Sequence, residues 1–229
     1  MQKIDRKEIT PERLYMNRRQ FLQKVALIGG AAVLASCAPG VTPTAEETAI
    51  IEEMAKTDQE LTAYDAITGY NNYYEFSLSK EGVAPAAKNF QTDNWQVEVY
   101  GLVKNPTTFS MQDILDQFPQ EERIYRLRCV EGWSMVIPWT GFSLSKLLDV
   151  VQPTVDAQYV RFETLADAKQ MPGLKMAFSW PYQEGLRLDE ARNELATVAT
   201  GIYGKPLTPQ NGAPIRMVVP WKYGFKSGK

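Results

Sequence analysis

Prolines and glycines cut this chain into short stretches from residue 95 onward, which leaves little room for long helices. Residues 95–99 alternate in polarity as a half-buried strand does, and Gly101 with Asn105 and Pro106 then turns the chain. Ser110 caps an expected helix over 111–118, which Pro119 stops. Ser143 opens another through Leu144, Leu147, Leu148 and Val151, and Pro153 ends it. Further strands are expected at 124–130, 159–165, 195–203 and 215–219, and further helices at 46–62 and 188–194. Residues 69–76, GYNNYYEF, read as irregular. Strands outnumber helices, so the expected fold class is α+β: mixed β-sheets with short helices laid against them.

The first 37 residues stand apart from that domain. Residues 16–24 read MNRRQFLQK and precede an apolar run over 25–35, too short to span a membrane comfortably. Paired arginines followed by Phe21 and Leu22 resemble a twin-arginine export signal, with Asn17 where Ser or Thr is usual. Residues 34–37, LASC, look like a lipoprotein processing site, with ordinary signal-peptidase cleavage nearby as the alternative. Acylated Cys37 would tether the mature chain without making it span a bilayer. The expected organisation is a signal over 1–37, a linker and helix over 38–62, and one domain over 63–229. Without the signal the formal charge becomes −6, which argues against nucleic acid or an anionic membrane face as partner. Hydrophobic content of 44% and aromatic content of 11% suit one packed core.

Cys129 is the one cysteine beyond the export segment, in a chain with no histidine. Cysteine–histidine catalysis, serine triads and histidine-ligated zinc or iron are thereby excluded. A buried inert thiol and a soft metal ligand remain. Alternation over 124–129 places Tyr125, Leu127 and Cys129 on one face and Arg126 and Arg128 on the other, so the thiol points inward at a strand end.

Residues 126–139, RLRCVEGWSMVIPW, resemble the molybdenum-cysteine segment of the sulfite-oxidase superfamily. Other segments fit its bacterial periplasmic branch: GYNNYYEF at 69–76, FET at 162–164, QMPG at 170–173, PYQEGLRLDE at 181–190, YGK at 203–205, PQNGAPIR at 209–216 and VPWKYGFK at 219–226. The chain is similar throughout to the catalytic subunits of the protein-methionine-sulfoxide reductase family. That resemblance implies a sulfite-oxidase-like domain holding molybdopterin with molybdenum, the metal bound by the Cys129 thiolate.

The family's cofactor contacts carry over to Asn71, Tyr74, Glu75, Thr164, Asn211 and Arg216, with Ser227, Gly228 and Lys229 about the terminal phosphate. Glu131 matches a carboxylate placed near the metal, and its implied role is proton relay. The implied reaction reduces methionine sulfoxide in periplasmic proteins by oxygen-atom transfer, with oxidised envelope proteins as substrates and a haem-containing membrane partner as electron donor.

Two alternatives stay open at this point. One is a periplasmic sulfite or other small-molecule oxidoreductase on the same cofactor; the other is a non-catalytic envelope lipoprotein in which Cys129 is merely buried. Members of the resembled family continue beyond the segment matching Lys229, so the domain is expected to be incomplete and its hold on the cofactor weakened.

Overall fold

The computed structural model describes residues 60–129, 131–176, 178–222 and 228, all within the compact unit Asp58–Lys229. The export signal, the linker, Ser227 and Lys229 lie outside the described residues. So does the helix expected over 46–62, except for residues 60–62, which are not helical.

Helix α1 (Tyr64–Gly69) leads into an irregular loop and then α2 (Val83–Ala87). Strands β1 (Gln96–Val99) and β2 (Thr107–Ser110) form an antiparallel pair. Helix α3 (Met111–Gln117) follows directly, closed by a capping box in which Ser110 and Asp113 satisfy each other's backbone donors. The central sheet comes next. Its strands β3 (Glu121–Arg128), β4 (Ser134–Ser143), β7 (Thr197–Ile202) and β8 (Lys205–Pro206) run in that order, with β9 (Arg216–Val218) also paired to β7. Helix α4 (Leu144–Val151) leaves the end of β4. Strands β5 (Tyr159–Glu163) and β6 (Gln183–Arg187) form a separate antiparallel pair, and α5 (Leu188–Ala191) follows β6.

Each face of the central sheet has its own core. Phe142 of β4, Val198 of β7 and Met217 of β9 pack with Phe109, Ile114 and Phe118 around α3, and with Leu144, Leu147, Leu148 and Val151 of α4. The opposite face carries Leu127, Ile137, Trp139, Ala199, Ile202 and Val218, with Tyr125 and Met135 partly buried beside them.

One irregularity explains how Ala199 and Ile202, three residues apart, share that second face. Thr200 is an extra residue in β7, because Thr140 pairs with Gly201 whereas Gly141 pairs with Ala199. Glycine at 141 is required there, since a Cβ would stand 2.1 Å from the Val198 carbonyl oxygen.

The α+β expectation therefore holds, with most strands shorter than expected and β3 displaced to Glu121–Arg128. The helix expected over 188–194 ends at Ala191. Strands β2, β4, β6 and β8 and helices α1 and α2 were not anticipated.

Candidate active site

The second face of the central sheet floors the site. Antiparallel register sets Leu127 opposite Met135, Tyr125 opposite Ile137 and Trp139 opposite Ile202, so their side chains line one surface. Pairing of Ala199 with Arg216 delivers the guanidinium of Arg216 to the same surface, 4.9 Å over the Trp139 ring. Above it close the end of α1 with the residues after it, 67–72, and the turn around 208–213. Between floor and roof lies a small cleft lined by Asn71, Asn72, Trp133, Trp139, Asn211 and Arg216 among others.

The roof is tied together through one acceptor. The Ile67 carbonyl takes a hydrogen bond from Asn71 Nδ2 at 2.9 Å and another from Asn211 Nδ2 at 3.2 Å. Thr208 Oγ1 donates to Asn211 Oδ1 at 2.7 Å, and Arg216 Nη1 donates to the Asn211 carbonyl at 3.1 Å. Burial strips water from the Arg216 guanidinium and pulls its pKa down to about 10, so it remains a cation at neutral pH. Arg216 thus brings a buried positive charge to the cleft lining.

Cys129 sits where β3 ends, and its side chain is buried, 3% exposed. The following loop is closed by Gly132 N–H to the Cys129 carbonyl at 3.1 Å and Cys129 N–H to the Trp133 carbonyl at 2.8 Å. Gly132 adopts φ +87°, a conformation that a side chain would oppose. The loop turns the Glu131 amide back toward the thiol, 3.3 Å from Sγ, while Asn72 Nδ2 approaches Sγ at 3.6 Å. Two N–H donors directed at sulfur favour negative charge on it.

The Glu131 carboxylate is held by other side chains. Its Oε1 pairs with Lys80 Nζ at 2.8 Å and accepts the hydroxyl of Tyr74, and its Oε2 takes Trp133 Nε1 at 3.4 Å. Partial burial raises the Glu131 carboxyl, but donation by Lys80, Tyr74 and Trp133 outweighs it and holds the pKa below its ordinary 4.5. Tyr74 is raised by partial burial first and by the Glu131 carboxylate next. Lys80 is lowered by burial, yet its bonds to Glu131 and Tyr74 leave it above its ordinary 10.5. The structure thus engages the Glu131 carboxylate with three donors of its own.

The remaining sequence candidates fall into a second group. Glu75 and Thr164 are both buried, and Thr164 Oγ1 approaches Glu75 Oε1 at 3.5 Å. The 70–76 loop is held against the short turn Pro172–Lys175 by the Gly173 N–H, 2.8 Å from the Glu75 carbonyl. Gly228 accepts a hydrogen bond from Met217 N–H at 2.9 Å and lies against Phe162 and Thr164. Asn71, Asn211 and Arg216 therefore meet in the cleft, Tyr74 meets Glu131, and Glu75, Thr164 and Gly228 gather beside β5. Asn72, Lys80 and Trp139 belong to the site and escaped sequence reasoning. The asparagine pair at 71–72 was a signal, but nothing in spacing told which one met the thiol.

These residues suit a molybdopterin. The Asn71 Oδ1 and Trp139 Nε1 atoms, of two residues that line the cleft, are buried without a hydrogen-bond partner among the described residues, which is the condition of groups awaiting a polar guest. Arg216 adds a cation for an anionic group. Among the described residues no three His, Cys, Asp or Glu side chains gather into a metal site. A lone thiol suits a soft metal whose other ligands come from an organic cofactor.

Comparison with known proteins agrees. Residues 83–229 match the family described as the oxidoreductase molybdopterin binding domain. The chain is 50% identical over 227 residues to the protein-methionine-sulfoxide reductase catalytic subunit MsrP of Xanthomonas axonopodis pv. citri, covering 97% of this chain and 70% of that protein. Identity and coverage are the same for MsrP of Xanthomonas campestris pv. campestris. The sulfane dehydrogenase SoxCD of Paracoccus pantotrophus shares the fold at a TM-score of 0.52 and 16% identity, covering 98% of this chain and 56% of that one. A buried thiol at a strand end, an anion-ready cleft beside it and these relatives agree, and the chain belongs to the molybdopterin-binding oxidoreductases, in the family of MsrP catalytic subunits.

Proposed function

We propose that this protein reduces methionine sulfoxide in other proteins, as a molybdenum-dependent oxidoreductase of the cell envelope. The observation that carries the reading is the Cys129 sulfur, which receives two N–H donors, one of them from Asn72 in the lining of a cleft that also contains a buried arginine. When bound, the molybdenum centre supplies two-electron oxygen-atom transfer, which converts a sulfoxide into a thioether. Cys129 would hold the metal, its thiolate character supported by the Asn72 and Glu131 donors.

Asn71, Trp139 and Arg216 would hold the organic part, with Arg216 facing its anionic end. Glu75, Thr164 and Gly228 would support it from the β5 side, with Ser227 and Lys229 as expected from the sequence. Tyr74 donates its hydroxyl to the Glu131 carboxylate on the loop that follows the thiol, and this pair would serve a reaction that takes up protons. The relatives are named as catalytic subunits, so a second subunit belongs to the system. A haem-bearing membrane partner as electron donor, twin-arginine export to the periplasm and an anchor at Cys37 complete the reading. Support for the export route comes from the paired arginines at 18 and 19.

The test is molybdenum analysis of protein purified from the periplasm, with Cys129→Ser beside it, followed by reductase assays on oxidised protein and sulfite oxidation assays. About one molybdenum per chain, lost in the serine variant and accompanied by sulfoxide reduction, is expected. Its absence from the unaltered protein, or retention by the serine variant, would remove the reading, and sulfite oxidation in place of sulfoxide reduction would move the substrate.

A further inference from the structure

The Cys129–Trp133 loop is anchored by a side chain from outside it, that of Lys80. Lys80 lies in the segment after the 69–76 loop. Its ammonium stands 2.8 Å from Glu131 Oε1, 3.1 Å from the Tyr74 hydroxyl and 4.5 Å from the centre of the Tyr74 ring. The Lys80 side chain is only 16% exposed and that of Glu131 27%, so this pair is shielded more than a surface ion pair. The backbone beneath is tied as well, since Asn71 N–H donates to the Lys80 carbonyl at 3.0 Å. Lys80 thus joins the loop bearing Asn71 and Asn72 to the loop bearing the thiol.

We infer that Lys80 is a positioning residue for the metal-bearing thiol: it fixes Glu131 so that the Glu131 amide stays directed at Cys129 Sγ, and it balances the carboxylate charge beside that sulfur. The inference rests on the reading of Cys129 as the molybdenum ligand. N–H donation to a ligand sulfur and the net charge around it set the potential of a bound metal. Loss of the ammonium has two consequences with the same sign. An unbalanced carboxylate favours the more oxidised, more positive metal, and a freed Glu131 weakens the N–H to sulfur bond that offsets sulfur's negative charge. Both lower the midpoint potential.

The experiment compares the molybdenum-loaded protein with Lys80→Met, Lys80→Arg, Glu131→Gln and the Lys80→Met, Glu131→Gln double variant. Molybdenum content, midpoint potential by redox titration of the Mo(V) electron paramagnetic resonance signal, and kcat and KM are measured on each. Lys80→Met is expected to keep its metal, to lower the potential, and to reduce kcat on the order of tenfold with KM little changed. Lys80→Arg should recover most of both. In the Glu131→Gln background the Lys80→Met substitution should lower the potential less, because only the direct loss of a positive charge remains once Glu131 is no longer there to be positioned.

An unaltered potential in metal-loaded Lys80→Met overturns the inference alone, as does the same shift with and without Glu131. Failure of Lys80→Arg to recover the potential does so too. Absence of molybdenum from the unaltered protein overturns the functional reading first, and this inference with it.

Discussion

Asn72 Nδ2 lies 3.6 Å from Cys129 Sγ, a contact across 57 residues that joins the roof of the cleft to the end of β3. Its counterpart at 71 turns the other way, donating to Ile67. Replacing Asn72 by leucine keeps the number and branching of the side-chain heavy atoms and removes the donor. The domain should stay folded, while turnover of the molybdenum-loaded protein falls on the order of tenfold, the usual effect of removing a group that steadies a metal ligand. Metal analysis, melting and a reductase assay on one preparation check this.

The sequence announces elements whose periodicity is plain and hides those whose faces are both buried. Helices α3 and α4 show serine starts, apolar spacing and proline stops, and the structure places them at Met111–Gln117 and Leu144–Val151. Strand β4 carries Val136, Ile137, Trp139 and Phe142, buried in cores on both faces, and holds Pro138 and Gly141, which read as breakers. Strand β6 holds Gly185 among polar residues, so alternation has little to show there. At the site, the inward direction of Cys129 followed from alternation alone. Asn71, Asn211 and Arg216 became legible only through family resemblance. Lys80 and Trp139 came from register and loop closure, which link residues remote in sequence.

Gly173 tests how firmly the 70–76 loop is placed. A Cβ at this position would stand 2.0 Å from the Tyr74 carbonyl oxygen and 2.7 Å from the Glu75 carbonyl carbon, and backbone cannot step aside as a side-chain end can. Gly173→Ala should cost about 2 to 4 kcal/mol of stability, as overpacking into rigid surroundings does. Denaturant titration reads that loss. A change below about 0.5 kcal/mol would show that the loop shifts without consequence.

The capping box of α3 gives stability a defined pH dependence. Ser110 donates to Asp113 Oδ2 from its side chain at 2.6 Å and from its backbone at 2.8 Å, and both bonds hold the Asp113 carboxyl below its ordinary 3.8. A carboxyl depressed in the folded state contributes stability that is present above its unfolded value and lost as pH falls through the folded one. Asp113→Asn should therefore lower the melting temperature at pH 7 and converge with the unaltered protein as pH falls well below 3.8. Parallel melts of both proteins across that range give the difference directly, and a constant gap at all pH values would mean that the carboxylate charge plays no part in the cap.

Arg216 separates charge from shape. A lysine in its place would still be a cation, but it lacks the planar fork that donates to the Asn211 carbonyl at 3.1 Å while stacking 4.9 Å over Trp139. If charge alone draws the cofactor's anionic end, Arg216→Lys should retain the pterin. If the stacked, directed guanidinium is what holds it, the loss is about 2 kcal/mol for a charge-assisted bond, or roughly thirtyfold in affinity. The second outcome is expected, because Trp139 and the Asn211 backbone fix the plane of the side chain before any guest arrives, and a flexible ammonium would have to be ordered on binding. Fluorescence of the pterin released from each protein after dilution and re-equilibration measures the retained fraction, and a lysine variant that keeps it all would leave charge as the sole attraction.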